Sequence, residues 1–317
     1  MKWVKIINYP LVSVIILAVY GKSSLMIWDS ILRTNYPNFE IILVIDRVSP
    51  DIKQSIISKF KGERVKVICN PVAVGISKAR NIGASLARGK YLVFLDDDTE
   101  IIDPEWLSKL VCTLENDPTI GAAMCGIQQR SRIILGTYAN YLILLDYPDI
   151  EKDYSKLHEI FSVMGAAFIT RRDVWRYVGG FDNDIVRSFD EDDFCWRVWL
   201  AGYRVVVVPE AKIFHKGSGI VTGRRKVNYF ERHRLMSILK NYSLFNLIKY
   251  LPLYLLIKLG SWLIRREFRN IKDCLLWNLI NLKGTMEKRR VVQQKRRVSD
   301  EYLMRRGVIK RLCLKLF

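Results

Sequence analysis

The segment that most constrains this chain is an apolar strand that ends directly in three acidic residues. Tyr91–Leu95 has the pattern of a buried strand, and Asp96, Asp97 and Asp98 follow it. Three adjacent like charges are costly unless a positive charge lies among them. In an open α/β sheet ligands bind at the carboxyl ends of the strands, and carboxylate oxygens suit Mg²⁺ or Mn²⁺. We therefore predict a divalent-metal site here; the alternative is an acidic turn exposed to water.

Strand and helix patterns alternate on both sides of this segment. Such alternation with short links predicts an α/β fold with a mostly parallel sheet built from right-handed crossovers. Strands are predicted at residues 11–17, 39–45, 65–69, 91–95, 120–126, 161–170 and 203–208. Helices are predicted at residues 23–34, 52–60, 75–87, 104–114, 173–178 and 194–201. Residues 128–162 give no clear pattern, and a long variable segment of this kind often covers the ligand.

Acidic residues stand at three separate places along this pattern. Asp46 ends the second predicted strand, Asp96–Asp98 end the fourth, and Asp190–Asp193 precede the helix predicted at 194–201. The carboxyl ends of parallel strands meet at one edge of a sheet, so Asp46 and Asp98 should face the same crevice. Of several carboxylates brought together, one can hold a metal while another accepts a proton from a hydroxyl.

Six sequence blocks follow one another along the chain: Val12–Ile16, Ile41–Asp51, Asn70–Gly83, Gly89–Asp98, Gly165–Asp182 and Asp190–His215. Each block alone is weak, but together they span about residues 11–241. In this order the blocks resemble those of glycosyltransferase family 2, whose members have the GT-A fold.

The resemblance implies transfer of a sugar, with inversion, from a nucleotide-diphosphate sugar to an acceptor hydroxyl, with Mg²⁺ or Mn²⁺ as cofactor. By this resemblance Asp98 is a metal ligand, Asp96 is directed toward the nucleotide sugar and the metal, and Asp46 contacts the nucleoside. His215 completes the metal site or touches the diphosphate, the alternative being a structural histidine. Arg80 contacts a phosphate or is a solvated helix residue.

The same resemblance assigns the catalytic acids. The base falls on Glu191 and the leading acid of its block on Asp190, and Asp192 remains a rival because four acidic residues adjoin. Two departures lie where the base and ribose of the donor should rest. Ala18–Tyr20 replaces a polar triplet, and Arg47 replaces the second acid of an Asp pair. The donor nucleotide is therefore left open, and Arg47 is a candidate for an additional donor phosphate contact.

The end of the chain is basic and apolar. The formal net charge is +19, and residues 283–317 hold twelve Lys or Arg against three acidic residues. Tyr242–Ile264 is apolar but contains two lysines and a proline, and Cys274–Leu282 is a second apolar stretch. We predict a GT-A domain at 1–241 and, at 242–317, a C-terminal amphipathic helical extension that associates with an anionic membrane surface. The alternative is a set of helices packed on the catalytic domain.

These features predict a location at the cytoplasmic face of the cell membrane, peripheral or monotopic. Six cysteines without a CxxC pair indicate reduced, structural thiols, and Met1–Pro10 lacks the layout of a cleaved signal peptide. The predicted acceptor is a glycan or a lipid-linked glycan. The alternatives are a basic nucleic-acid- or membrane-binding protein without catalysis and a sugar nucleotidyltransferase. No nucleic-acid-binding module is recognisable, so no nucleic-acid partner is expected.

Overall fold

The computed structural model describes residues 8–19, 26–60, 62–129, 132–140, 143, 145–146, 156–217, 224–264, 266 and 268–310. Its strands are β1 Val12–Val19, β2 Phe39–Asp46, β3 Val65–Asn70, β4 Tyr91–Asp96, β5 Thr99–Ile101, β6 Ile120–Gln129, β7 Arg132–Ile134, β8 Tyr138–Asn140, β9 Leu145–Asp146, β10 His158–Glu159, β11 Ala167–Arg171, β12 Arg204–His215 and β13 Ile309–Lys310. Its helices are α1 Met26–Ile31, α2 Pro50–Lys59, α3 Ile76–Ser85, α4 Trp106–Asn116, α5 Arg172–Val178, α6 Asp190–Leu200, α7 Arg224–Asn241, α8 Leu244–Ile264, α9 Phe268–Ile280, α10 Leu282–Lys295 and α11 Asp300–Arg305.

A mixed central sheet organises the chain. Its main strand order is β10-β12-β6-β11-β4-β1-β2-β3. The strands from β4 to β3 are parallel, β11 runs antiparallel between β4 and β6, and β12 is parallel to β6. Each of the parallel strands β1, β2 and β4 is almost wholly buried, because helices cover both faces of the sheet. The predicted α/β fold is confirmed.

The strand register places the predicted acidic residues at one edge. On β1, Leu17 pairs with Asp96 of β4 and Val19 pairs with Asp46 of β2. The two acidic strand ends therefore flank the carboxyl end of β1, as the sequence predicts.

Three predicted elements differ from the structure. The helix predicted at 194–201 begins at Asp190, so the four acids form its first turn, where the positive end of the helix dipole favours them. The strand predicted at 161–170 begins only at Ala167. β12 continues to His215, well past the predicted end at Val208, after a register shift between Val208 and Lys212. Pro209 lies in that shift and has no N–H for the ladder.

Part of the segment without a predicted pattern forms short strands. β7 pairs with β6, and β8 pairs with β9 and β13 in a second, three-stranded sheet. Residues 130–131, 141–142, 144 and 147–155 of this segment lie outside the described residues, as do residues 23–25 of the first predicted helix.

The C-terminal helices pack against one another and against α6. α7 packs against α6, α9 and α10, and α8 packs against α7 and α9. After α10 the Arg297 amide donates to the Leu200 carbonyl at 2.8 Å, and β13 pairs with β8. Tyr242–Ile264 contains one helix, α8, with Pro252 inside it.

A buried ionic network joins α6 to α7. Asp193 is fully buried and accepts hydrogen bonds from Ser237 at 2.9 Å and Asn241 at 3.0 Å. It also pairs with Lys240 at 2.8 Å and with Arg197 at 2.9 Å. One of the four adjacent acids is therefore fully engaged in holding the helices together.

Two helical glycines predict opposite effects of the same substitution. A Cβ at Gly83 would lie 2.5 Å from the Ile15 side chain in the core, so Gly83→Ala should lower the free energy of unfolding by about 1–3 kcal/mol. A Cβ at Gly284 in α10 meets nothing within 4 Å, so Gly284→Ala should raise it by about 0.5–1 kcal/mol. Urea denaturation measures both changes in the free energy of unfolding. Two changes of the same sign would contradict the close packing of Gly83 in α3 against Ile15.

Candidate active site

Three potential metal ligands converge at the acidic edge of the sheet. One ligand atom from each of Asp96, Asp98 and His215 lies within 4.8 Å of the others. β12 ends at His215, which pairs with Thr99 of β5, the residue that follows Asp98. This pairing brings the His215 Nε2 to 3.1 Å from the Asp98 Oδ1. Two carboxylates and an imidazole form a donor set that fits a divalent ion such as Mg²⁺ or Mn²⁺.

The electrostatics of this cluster favour a cation. Burial, together with the Asp98 and Glu191 charges, raises the pKa of Asp96 to about 6 against the opposing charges of Arg80 and His215. Burial lowers the pKa of His215, but its hydrogen bond with Asp98 and the nearby carboxylates outweigh this, and its pKa is raised. The raised pKa of His215 reflects the negative charge of the surrounding carboxylates, which a bound divalent ion would neutralise.

Arg80 lies at the centre of the site. Its side chain is only 1% exposed and contacts the Asp190 carboxylate directly. Its guanidinium nitrogens also lie 3.5 Å from Asp96 and 3.8 Å from Glu191, and one donates to the Gly165 carbonyl at 2.9 Å. The alternative of a solvated helix residue is therefore wrong. Arg80 joins the metal-ligand cluster to the first turn of α6.

Asp190 and Glu191 have different surroundings. The Asp190 side chain is 1% exposed, whereas Glu191 is 22% exposed. Burial and the Glu191 charge raise the pKa of Asp190. Burial also opposes the charge on Glu191, but a hydrogen bond with Asp190, the Arg80 charge and the Gly165 amide lower its pKa. Glu191 is thus an ionised, accessible carboxylate, which is what a general base requires.

Asp192 faces a different environment. Burial, together with the Glu191 charge, raises its pKa to about 8, while the Ser162 hydroxyl and the Arg234 charge oppose the shift. A buried carboxyl of this kind holds its proton near neutral pH.

Asp46 is held by the loop that follows β3. Its two carboxylate oxygens accept hydrogen bonds from the Asn70 side chain at 2.8 Å and the Val74 amide at 3.0 Å. The adjacent Arg47 is exposed and has φ 65°, a left-handed conformation that is unusual for a residue with a side chain. The structure therefore shows Asp46 fixing the shape of this edge, and its nucleoside contact stays a prediction.

Gly165 is a functional position that the sequence analysis did not single out. A Cβ on this residue would lie 2.6 Å from the Arg80 Nη2 and 2.9 Å from the Glu191 Oε1. Only glycine leaves room for the guanidinium and the carboxylate to meet beside this backbone. The next residue, Ala166, accepts a hydrogen bond from the Asp96 amide at 3.0 Å. The signal was present, since both residues belong to one of the six sequence blocks.

Comparison with known proteins identifies the family. The family model described as Glycosyl transferase family 2 matches residues 15–179, just over half of the chain. The chain belongs to this family, and its fold is GT-A.

One curated relative and two solved structures illustrate the similarity. The chain is 30% identical over 146 residues to the UDP-Glc:alpha-D-GlcNAc-diphosphoundecaprenol beta-1,3-glucosyltransferase WfaP of Escherichia coli, covering 44% of this chain and 57% of the relative. The structure of GalNAc-T7 with UDP, GalNAc and Mn²⁺ superposes with a TM-score of 0.60 at 18% identity, covering 74% and 48%. The mannosyltransferase PcManGT from Pyrobaculum calidifontis, with GDP-Man and Mn²⁺, gives 0.53 at 16% identity, covering 91% and 86%.

Several relatives are much longer than this chain. It spans 25% and 16% of the two curated relatives that match it over 230 and 205 residues. The similarity therefore covers a shared glycosyltransferase unit rather than those whole proteins.

The raised pKa of Asp192 predicts a pH-dependent stability difference. Between about pH 4 and pH 8 the folded protein keeps a proton on Asp192 that the unfolded chain releases, so the stability from this group falls as pH rises through that window. Asp192→Asn removes this dependence. The free energy of unfolding of the variant relative to the parent should increase from pH 4 to pH 8. A difference that stays constant across this range, measured by urea denaturation, would contradict the assignment.

Proposed function

We propose that this protein transfers a sugar from a nucleotide-diphosphate sugar to an acceptor hydroxyl with inversion, assisted by a divalent metal. The observation that carries the proposal is Arg80, which joins Asp96 of the metal-ligand cluster to Asp190 and Glu191 of α6. Donor activation and acceptor deprotonation can then occur in the same cleft. Family membership supports the same reaction class.

The reaction follows from the positions of the acids. Asp96, Asp98 and His215 would hold Mg²⁺ or Mn²⁺, which would stabilise the negative charge on the leaving nucleoside diphosphate. Glu191 accepts the proton of the acceptor hydroxyl while the hydroxyl oxygen bonds to the anomeric carbon. The bond from that carbon to the diphosphate breaks on the opposite side, so a single displacement inverts the configuration. Asp190 and Arg80 keep the Glu191 carboxylate oriented and ionised.

The donor and acceptor are proposed by chemical class. Asp46, at the end of β2, would contact the nucleoside, and the exposed Arg47 beside it would add a cation for donor phosphate. The solved neighbours hold UDP in one case and GDP-Man in another, and this supports a nucleotide-sugar donor without selecting the nucleotide. WfaP, by its name, acts on a diphosphoundecaprenol-linked sugar, which supports a glycan or lipid-linked glycan as acceptor.

Three single substitutions test the roles of the acids. A panel of nucleotide sugars with Mn²⁺ or Mg²⁺ first identifies the donor by its rise in melting temperature. With that donor, Asp98→Ala and chelator should each abolish release of nucleoside diphosphate, and Glu191→Gln should lower kcat by about 100-fold or more while the donor still binds. Asp192→Asn is the matched control and should keep most of the activity.

The outcomes separate this proposal from its rivals. Full transfer activity in Asp98→Ala would contradict the assignment of Asp98 as a metal ligand. Loss of activity in Asp192→Asn, with activity retained in Glu191→Gln, would assign the base to Asp192 instead. Turnover of a labelled nucleoside triphosphate with a sugar phosphate would instead indicate a nucleotidyltransferase.

We further propose that residues 1–241 form the catalytic unit and that the extension attaches it to the cytoplasmic face of an anionic membrane. Within the described part of the chain, α8 alone is long and apolar enough to cross a bilayer, over Leu244–Ser261. One face of α8 and α9 exposes large apolar side chains; these include Phe245, Ile248, Leu256, Leu263, Phe268, Leu276 and Leu279. The basic residues Lys249, Arg266, Arg269 and Lys272 are exposed beside them, which suits anionic headgroups.

The opposite face of α8 favours a helix that lies in the membrane plane. The buried Glu231 of α7 accepts hydrogen bonds from Lys258 at 2.9 Å and Tyr254 at 3.1 Å, and Asn246 donates to the buried Asp300 at 3.0 Å. Crossing the bilayer would break the Lys258–Glu231 ion pair and the Asn246–Asp300 hydrogen bond, a cost of several kcal/mol. The described cysteines are free, which is compatible with a reducing compartment.

Vesicle flotation tests the membrane proposal. The double substitution Phe245→Glu/Leu256→Glu should reduce binding to vesicles with anionic lipid by roughly 100-fold or more, because each buried apolar side chain contributes about 1.5–3 kcal/mol. Leu32→Glu is the matched control, since Leu32 is equally exposed but lies next to α1. Unchanged flotation of the double variant would reject this surface, and resistance of the parent protein to carbonate extraction would indicate a spanning helix.

A further inference from the structure

The turn that leads into α6 has an unfavourable backbone conformation. Ser188 and Phe189 are consecutive residues with left-handed φ angles of 60° and 71°, and Asp190 and Glu191 follow them directly. Residues with a Cβ rarely adopt this conformation, and two in succession persist only where surrounding contacts fix them. The Phe189 carbonyl also accepts a hydrogen bond from the Asp193 amide at 3.1 Å, in the first turn of α6. The direction of the candidate base therefore depends on this turn.

His233 of α7 supplies the contacts that hold the turn. Its Nδ1 lies 2.8 Å from the Arg187 carbonyl oxygen and 3.1 Å from the Ser188 carbonyl oxygen. Carbonyl oxygens only accept hydrogen bonds, so the Nδ1 must carry the proton and donate to both. His233 is buried, and burial lowers its pKa although these two backbone contacts oppose the shift. A neutral imidazole with the proton on Nδ1 satisfies this geometry.

The imidazole is itself fixed on both sides. Tyr229 stacks on it with a centroid distance of 5.9 Å, and Trp277 of α9 packs edge-on at 5.6 Å. The Phe189 ring packs edge-on against Phe230 of α7 at 5.3 Å. The turn is thus held by hydrogen bonds to its backbone and by packing of its one fully buried side chain.

We infer that His233 is a positioning residue for the reaction: by holding the Arg187–Phe189 turn in its left-handed conformation, it sets the direction of Glu191. The inference rests on the proposed function only in taking Glu191 as the base. His233 has no part in the metal-ligand cluster. Its loss should therefore affect the chemical step and leave donor binding intact.

Substitutions at His233 and Ser188 test the inference kinetically. His233→Leu removes the donor and should lower kcat by about 100-fold with the donor KM unchanged, since small misplacements of a catalytic group have effects of this size. His233→Asn keeps a donor near the position of Nδ1 and should retain kcat within about threefold of the parent. Adding Ser188→Gly to His233→Leu should recover at least about tenfold in kcat, because glycine adopts the left-handed conformation without restraint. Ser188→Gly alone is the control.

Hydrogen exchange gives a readout that does not depend on catalysis. Amides of residues 189–193 should exchange faster in His233→Leu than in the parent or in His233→Asn, while amides of residues 94–98 stay unchanged. Unchanged kcat and exchange in His233→Leu would overturn the inference. Parallel loss of donor binding and global protection, without recovery by Ser188→Gly, would also overturn it by showing a purely structural role. If no variant and no parent protein transfers sugar, the proposed function fails, and the exchange pattern still decides the role of His233.

Discussion

A buried guanidinium surrounded by carboxylates holds this site together. Arg80 reaches Asp190, Asp96 and Glu191 from α3, a helix far from α6 in sequence. Removal of the guanidinium would break its buried pair with Asp190, at a cost of about 3–5 kcal/mol. The Phe168 and Phe181 rings lie 5.8 Å and 5.5 Å from the guanidinium carbon and exclude water on that side. The candidate metal ligands and the first turn of α6 are linked through this one side chain.

Much of the fold could be predicted because its strands are buried on both faces. Continuous apolar runs such as those of β1, β2 and β4 give a clear signal, and the edge where parallel strands end follows from topology alone. Element boundaries near charged residues were less predictable. The beginning of α6 was misplaced because acidic residues are poor evidence for a helix interior, although they are favoured in its first turn. The sequence predicts the end of β12 too early, because Pro209 is an ordinary signal for the end of a strand.

The sequence predicts which acidic residues belong to the site but not which residues they contact. Adjacent acids along the chain show only that negative charge accumulates, and their separate roles come from distant partners. Asp193 is engaged by Lys240 and Asn241, and Asp190 by Arg80, each more than forty residues away. Whether Arg80 is solvated or buried depends on the phenylalanines of other elements, which a linear pattern does not reveal. The need for glycine at position 165 is also not visible in the sequence, because it arises from two side chains that meet over the backbone of Gly165.

The path of the chain after α7 has a consequence for how such enzymes diversify. Arg289 and Gln293 of α10 donate hydrogen bonds to the Tyr242 carbonyl, just ahead of α8, so the chain returns after α9 to the point where α8 begins. The α8–α9 pair is therefore an interior loop of the sequence, anchored at both ends, and not a free appendage. An element inserted in this way can be lengthened, exchanged or lost between descendants while the sugar-transferring scaffold beneath it stays the same. Changes in the α8–α9 pair can consequently accumulate without altering the residues of the candidate active site.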